Sequence, residues 1–121
     1  MGQKVLVADD SGVMRTIIVR SLNAIGVTDI VQAADGVEAI EKFAAGDFDI
    51  VLTDWNMPNK SGLDVLKEIR AQGSDVPVIM ITTENEKGRV LEAIQAGVTD
   101  YLSKPFDADR LREKLEKYAA V

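Results

Sequence analysis

The sequence predicts an α/β sandwich: an open sheet of five parallel strands with helices on both faces. Three observations carry that prediction. Short apolar runs alternate with amphipathic stretches five times along the 121 residues. Three of the runs are continuously apolar, as strands buried on both faces are. Gly, Asp, Ser or Pro punctuates the boundaries, and strand–helix alternation of this length builds βαβ units, whose right-handed crossovers make the sheet parallel.

Val5-Leu6-Val7-Ala8 is the first strand. After it Val13, Met14, Ile17, Ile18, Leu22 and Ile25 recur at helical spacing, and Gly26 supplies a stop. The second strand is Ile30-Val31-Gln32-Ala33. Its helix opens at Asp35 with Glu38 three residues on, turns Ile40 and Phe43 inward and ends at Gly46. Ile50-Val51-Leu52 is the third strand, and Ser61 with Asp64 opens a helix whose apolar face is Leu63, Leu66 and Ile69, ended by Gly73. Val78-Ile79-Met80-Ile81 is the fourth. Thr83 and Glu86 signal the helix behind it, with Val90, Leu91 and Ile94 inward and Gly97 as its stop. The weakest run, Tyr101-Leu102, is the fifth strand, and Asp107 opens "DADRLREKLEKY" with Leu111 and Leu115 inward.

A length of 121 residues predicts one domain over 1–121, and 46% apolar residues suffice for a core without metals or disulfides. There is no cysteine and no histidine. That excludes thiolate chemistry and removes the commonest metal ligand and general base, so any metal here is a hard, oxygen-loving ion. A net charge of −6, with Lys and Arg interspersed among acids, argues against a nucleic-acid surface. No run of about 18 apolar residues exists to span a bilayer, and "MGQKVLVADD" lacks an apolar core followed by a small-residue cleavage site. A cytoplasmic protein with no membrane or nucleic-acid partner is expected.

In open parallel sheets ligands bind beyond the carboxyl ends of the strands. The residues expected there are Asp9 and Asp10 after the first strand, Asp54 after the third, Thr82 and Thr83 after the fourth, and Lys104-Pro105 after the fifth. Three carboxylates crowded together repel and raise one another's pKa. A divalent cation together with Lys104 brings their formal charge to zero, and without His or Cys that cation is Mg²⁺ or Mn²⁺. Each acid has a bland alternative, because Asp is common in turns, and Asp10 or Ser11 alone would serve as a helix cap. Three acids and a lysine on one rim weigh toward a site.

"VLVADDSGVMR", "VLTDWNMPNKSG", "IMITTENE" and "DYLSKPF", in this order, resemble the receiver domain of two-component response regulators along essentially the whole chain, most of all its stand-alone chemotaxis branch. The resemblance implies a doubly wound, flavodoxin-like fold with strand order 2-1-3-4-5. It implies that Asp54 accepts a phosphoryl group from a histidine kinase, and that Asp10, Asp9 (largely through water), Asp54 and the backbone carbonyl of Asn56 bind Mg²⁺. Lys104, aimed by a cis Lys-Pro peptide, would pair with the phosphoryl group, while the Thr82 hydroxyl turns toward it and Tyr101 swings inward. Output would be read on the face of the fourth helix, fifth strand and fifth helix, through Tyr101, Lys87, Val90 and Lys114. Asn56 and Glu84 would border the path of hydrolytic water and tune the phosphoryl lifetime.

As partners the resemblance implies a histidine kinase of the chemotaxis type, a flagellar motor switch protein or other downstream protein, and a phosphatase, with the chain itself a monomer. It would be a phospho-accepting signalling protein, not an enzyme beyond its own phosphorylation and dephosphorylation, with no DNA-binding output. A receiver in a phosphorelay or other circuit is the near alternative. A flavodoxin-like flavin carrier shares the fold, but Asp9-Asp10 would repel a phosphate lacking metal. An aspartate-nucleophile phosphatase needs a second acid two residues past its nucleophile, where this chain has Asn56.

Overall fold

Each apolar run is a strand and each amphipathic stretch a helix, in strict alternation: β1 (Lys4–Ala8), α1 (Gly12–Ala24), β2 (Asp29–Ala33), α2 (Gly36–Ala44), β3 (Ile50–Asp54), α3 (Gly62–Ala71), β4 (Val78–Thr83), α4 (Lys87–Ala96), β5 (Asp100–Lys104) and α5 (Ala108–Tyr118). The computed structural model describes residues 4–83, 87–104 and 106–118. Expectations placed on Glu84, on the Thr83 and Glu86 cap, on the Lys87 side chain and on the Lys104-Pro105 peptide lie outside the described residues. The sheet runs β2-β1-β3-β4-β5 with all neighbours parallel, as the resemblance implied.

Side chains alternate across the sheet with period two and divide the core into two halves. Val5, Val7, Ile50, Leu52, Ile79, Ile81 and Leu102 meet Ile18 and Leu22 of α1 and Leu111 and Leu115 of α5. Leu6, Ala8, Val51, Val78 and Met80 face the other way, onto Phe43 of α2, Leu66 and Ile69 of α3 and Ala93 of α4.

Two helix faces are narrower than the spacing suggested. Val13 (74% exposed) and Ile17 (44%) of α1, and Leu91 (62%) and Ile94 (57%) of α4, point outward. In α1 the buried stripe is Ile18 and Leu22 with Met14 beside them; Val13 and Ile17 each precede a stripe residue and are rotated about 100° away from it. In α4 the buried residue is Ala93, whose small side chain lets the helix lie close to the sheet and leaves Leu91 and Ile94 off the contact line. The capping signals fare better. Ser11 Oγ accepts from Met14 N–H at 3.2 Å, Asp35 from Glu38 N–H at 2.7 Å, and Asp107 from Arg110 N–H at 2.9 Å. Ser61 and Asp64 form a reciprocal capping box.

The strands also run further than the apolar runs. The ladders continue to Asp54, Thr83 and Lys104, since backbone pairing is indifferent to side-chain polarity. Asp54, Thr82, Thr83 and Lys104, expected beyond the strands, are therefore strand residues held by the ladders, while Asp9 and Asp10 do follow β1, which ends at Ala8. Gly62 fixes Asp54 from outside. A Cβ on Gly62 would lie 2.1 Å from the carbonyl oxygen of Asp54, so only glycine lets α3 start this close to β3.

Candidate functional site

Register and alternation bring the acids together. Ala8 pairs with Thr53 across β1 and β3, so the chain continuing from β1 sets Asp9 beside Asp54. Asp9 continues the face of Val5 and Val7, Asp54 that of Ile50 and Leu52, and Lys104 that of Leu102. Three residues distant in sequence thus share one face at one edge. Lys104 Nζ lies 3.3 Å from Asp54 Oδ1 and 3.4 Å from Asp9 Oδ2.

Both acids are buried, Asp9 at 1% exposure and Asp54 at 7%. Each is further tied to backbone. Trp55 N–H donates to Asp54 Oδ1 at 2.9 Å, and Ser11 N–H to Asp9 Oδ1 at 2.9 Å. Arg15, which the sequence reading passed over, donates to the Asp9 carbonyl oxygen at 2.6 Å and braces the β1–α1 turn from the helix side. Burial first, and then the neighbouring Asp9 carboxylate, push the Asp54 carboxyl above the usual carboxylate range; Lys104 and the Trp55 N–H draw it part of the way back.

Asp10 is exposed, yet one carboxylate oxygen from each of Asp9, Asp10 and Asp54 lies within 4.8 Å of the others. A single small cation can bridge such a spacing with minor side-chain movement. The donors fit a hard ion: all are carboxylate oxygens, and the chain has neither Cys nor His to offer a thiolate or an imidazole.

The remaining predicted residues divide between the rim and the α4–β5–α5 side. Thr82, 7% exposed, is near the end of β4, one strand from Asp54, with Ser103 as its register partner. Asn56 follows in the β3–α3 loop, where its Oδ1 accepts from Arg89 Nη1 at 2.7 Å. Tyr101, Val90 and Lys114 lie away from the rim. The Tyr101 hydroxyl donates to the Val90 carbonyl oxygen at 2.5 Å, joining β5 to α4, and Lys114 Nζ is 3.1 Å from Asp100 Oδ2, joining α5 to β5. Trp55 is packed, at 6% exposure, within the α2–α3–α4 half of the core.

The fold and this carboxylate–lysine edge define a response-regulator receiver, and the family model for the response regulator receiver domain matches residues 5–116. The chain belongs to that family, one of signalling proteins in two-component systems. Among its relatives, chemotaxis protein CheY1 of Helicobacter pylori is 48% identical over 116 residues, covering 93% of this chain and 94% of that protein. Chemotaxis protein CheY-3 of Vibrio cholerae is 46% identical over 94% of this chain and 89% of its own length. Among solved structures, chemotaxis response regulator CheY4 of Vibrio cholerae superposes with a TM-score of 0.90 at 33% identity, covering 98% of this chain and 99% of that one. The receiver domain of the sensor histidine kinase PA1611 of Pseudomonas aeruginosa, solved with a magnesium ion coordinated in its active-site cleft, superposes with a TM-score of 0.89 at 32% identity over 100% of both chains. No described helix is long and apolar enough to cross a membrane.

Proposed function

We propose that this chain is a single-domain, phospho-accepting switch of a chemotaxis pathway, with Asp54 taking the phosphoryl group of a histidine kinase. One observation carries the reading: a single ammonium, that of Lys104, meets two buried carboxylates, Asp54 at 3.3 Å and Asp9 at 3.4 Å, beside a third acid, Asp10. A purely structural lysine needs one partner. This one stands where an added phosphoryl group would bring further negative charge.

In the transfer, an ionised Asp54 oxygen forms a bond to phosphorus while the bond from phosphorus to the donor imidazole nitrogen breaks. The electron pair leaves with the nitrogen, which takes a proton from solvent, and the product is an acyl phosphate. Lys104 is within reach of the acceptor oxygen and of the incoming oxygens, and it stabilises charge on both. Asp9, Asp10, Asp54 and the Asn56 carbonyl would hold Mg²⁺, which would supply neutralisation of the charge that gathers in a loose transition state where positioning dominates. Mn²⁺, with the same preference for oxygen, would serve in its place.

Phosphorylation then biases a two-state packing through Thr82 and Tyr101. A ~100-fold change in population asks for roughly 2.7 kcal/mol of differential binding, within the range of a few charge-assisted hydrogen bonds. Tyr101, held to Val90 across β5 and α4, and Lys114 on α5 make the face a flagellar motor switch protein or other downstream partner would read, with Lys87 on the same helix as Val90. Asn56 and Glu84 tune the lifetime of the acyl phosphate, alone or with a phosphatase. The relatives' names support the chemotaxis assignment, and the chain's composition supports a cytoplasmic one.

Incubation with acetyl phosphate and Mg²⁺, followed by intact mass and Trp55 fluorescence, tests the acceptor. The wild type gains the mass of one phosphoryl group and Asp54→Asn gains none. Equal gain in the mutant removes Asp54 from the role.

A further inference from the structure

One cation beside the rim has no part in the chemistry above. Arg89, near the start of α4, reaches over the β3–α3 loop, with its guanidinium carbon 5.2 Å from the ring centroid of Trp55 and its Nη1 donating to Asn56 Oδ1 at 2.7 Å. The contacts are of different kinds, a cation over an aromatic face and a charge-assisted hydrogen bond, and one rigid planar group makes both. The next residue, Val90, accepts from the Tyr101 hydroxyl, so this turn of α4 is anchored to β5 while its arginine grips the loop after β3.

Arg89, Trp55, Asn56 and Met57 line a cavity of about 470 Å³ together with Asp10. Asp10 also belongs to the carboxylate cluster of Asp9 and Asp54, so one side chain of the cavity's lining has an oxygen within 4.8 Å of an Asp54 oxygen, although Asp54 itself is not part of the lining. The cavity is shallow and open to solvent, and the bonded Arg89–Asn56 pair is part of its lining.

We infer that Arg89 is a positioning residue that lengthens the life of the phosphorylated state: it holds the Asn56 amide and roofs Trp55, so that cavity water meets a fixed wall on its way to phosphorus. The inference rests on Asp54 being the acceptor. In the step it slows, a water oxygen bonds to phosphorus and the bond from phosphorus to the Asp54 oxygen breaks. The electron pair returns to the carboxylate, and the water's proton leaves with inorganic phosphate or passes to solvent. Lysine is a poor substitute at this position, because a single ammonium on a flexible stem does not stack over the indole while bonding the amide.

The test compares Arg89→Ala, Arg89→Lys, Asn56→Ala and the Arg89→Ala/Asn56→Ala double variant. Each is phosphorylated with acetyl phosphate and Mg²⁺, and loss of phosphoryl mass is followed after the donor is removed. Arg89→Ala is expected to lose the group roughly fivefold faster than wild type while accepting it at a rate within about twofold. Arg89→Lys does not restore the lifetime, and the double variant is no faster than the faster single one, as expected of two residues acting as a unit. A wild-type lifetime in Arg89→Ala, full rescue by lysine, or single effects that multiply in the double variant would each overturn the inference. Acrylamide quenching of the one tryptophan, Trp55, probes the roof without phosphorylation, and the quenching constant should roughly double in Arg89→Ala. If the wild type accepts no phosphoryl group, the acceptor reading fails, and unchanged quenching in Arg89→Ala then rejects the clamp separately.

Discussion

Asp54 is a carboxylate kept in surroundings that disfavour its charge. Burial and Asp9 raise its pKa, and Lys104 and the Trp55 N–H only partly oppose them. The unfolded chain therefore gives up this proton at lower pH than the folded one. Between the two pKa values the folded state binds more protons, so stability falls as pH rises from the ordinary carboxylate range through the folded pKa, and it stays lower above. Asp54→Asn removes the charge and the slope together. Thermal unfolding should show the mutant melting roughly 4 °C higher near neutral pH, a shift on the order of 1 kcal/mol for a domain of this size, with the difference shrinking toward about pH 4. A mutant that melts lower near neutrality contradicts the electrostatic account. Asp9, Asp10, Asp54 and Lys104 were legible in the sequence because parallel strands deliver whatever follows their apolar runs to one edge. Arg89 and Arg15 were not legible: Arg89 reaches from α4 to a loop 33 residues back, and Arg15 folds back onto the backbone of the turn before its own helix, a side-chain-to-carbonyl bond that neither capping nor periodicity signals.

Two elements are pinned by single polar residues. Arg70, in the last turn of α3, donates to the carbonyl oxygens of Gly97, Ser74 and Val76 at 2.9, 3.1 and 2.8 Å, tying together the ends of α3 and α4 and the approach to β4. Arg70→Ala leaves those acceptors without their donor and should cost roughly 2 kcal/mol in urea unfolding at unchanged m-value. Asp100 does the equivalent for α5, accepting from the Tyr118 hydroxyl at 2.6 Å and from Lys114 at 3.1 Å. Burial raises the Asp100 pKa, but these bonds and the Tyr101 N–H outweigh it and hold the carboxyl below its usual range. The sign is opposite to that of Asp54: this stability is present above the ordinary carboxylate range and is lost as pH falls through the folded value. Asp100→Asn should cost about 1.5–3 kcal/mol and loosen α5 before the rest, read as faster amide exchange over 108–118. Exchange rising evenly across the protein would deny α5 this separate latch. Helix existence and caps were legible because capping depends on neighbours three residues apart. The exposed Val13, Ile17, Leu91 and Ile94 were misread because periodicity gives the width of an apolar stripe and not the packing that selects its centre.

At the scale of the molecule, alternation and register account for both the two-sided core and the site. On the face toward α1 and α5 the central strands β1 and β3 are apolar up to the carboxyl edge, where Asp9 and Asp54 take over and Lys104 of β5 joins them. The opposite face carries Tyr101 in β5 toward α4, so a charge added at the edge adjoins the packing that the α4–β5–α5 side presents outward. Sheet order was not readable from periodicity, since nothing in a strand names its neighbour; only the ordered motifs supplied it. The most direct measurement locates the phosphoryl group chemically. Protein treated with acetyl phosphate and Mg²⁺ is reduced with borohydride, which converts an acyl phosphate of aspartate to homoserine, and is then mapped by peptide mass spectrometry. The account predicts homoserine at position 54 and nowhere else, dependent on Mg²⁺. Homoserine at position 9 or 10, or an unmodified position 54 in protein that has gained the phosphoryl mass, would contradict it.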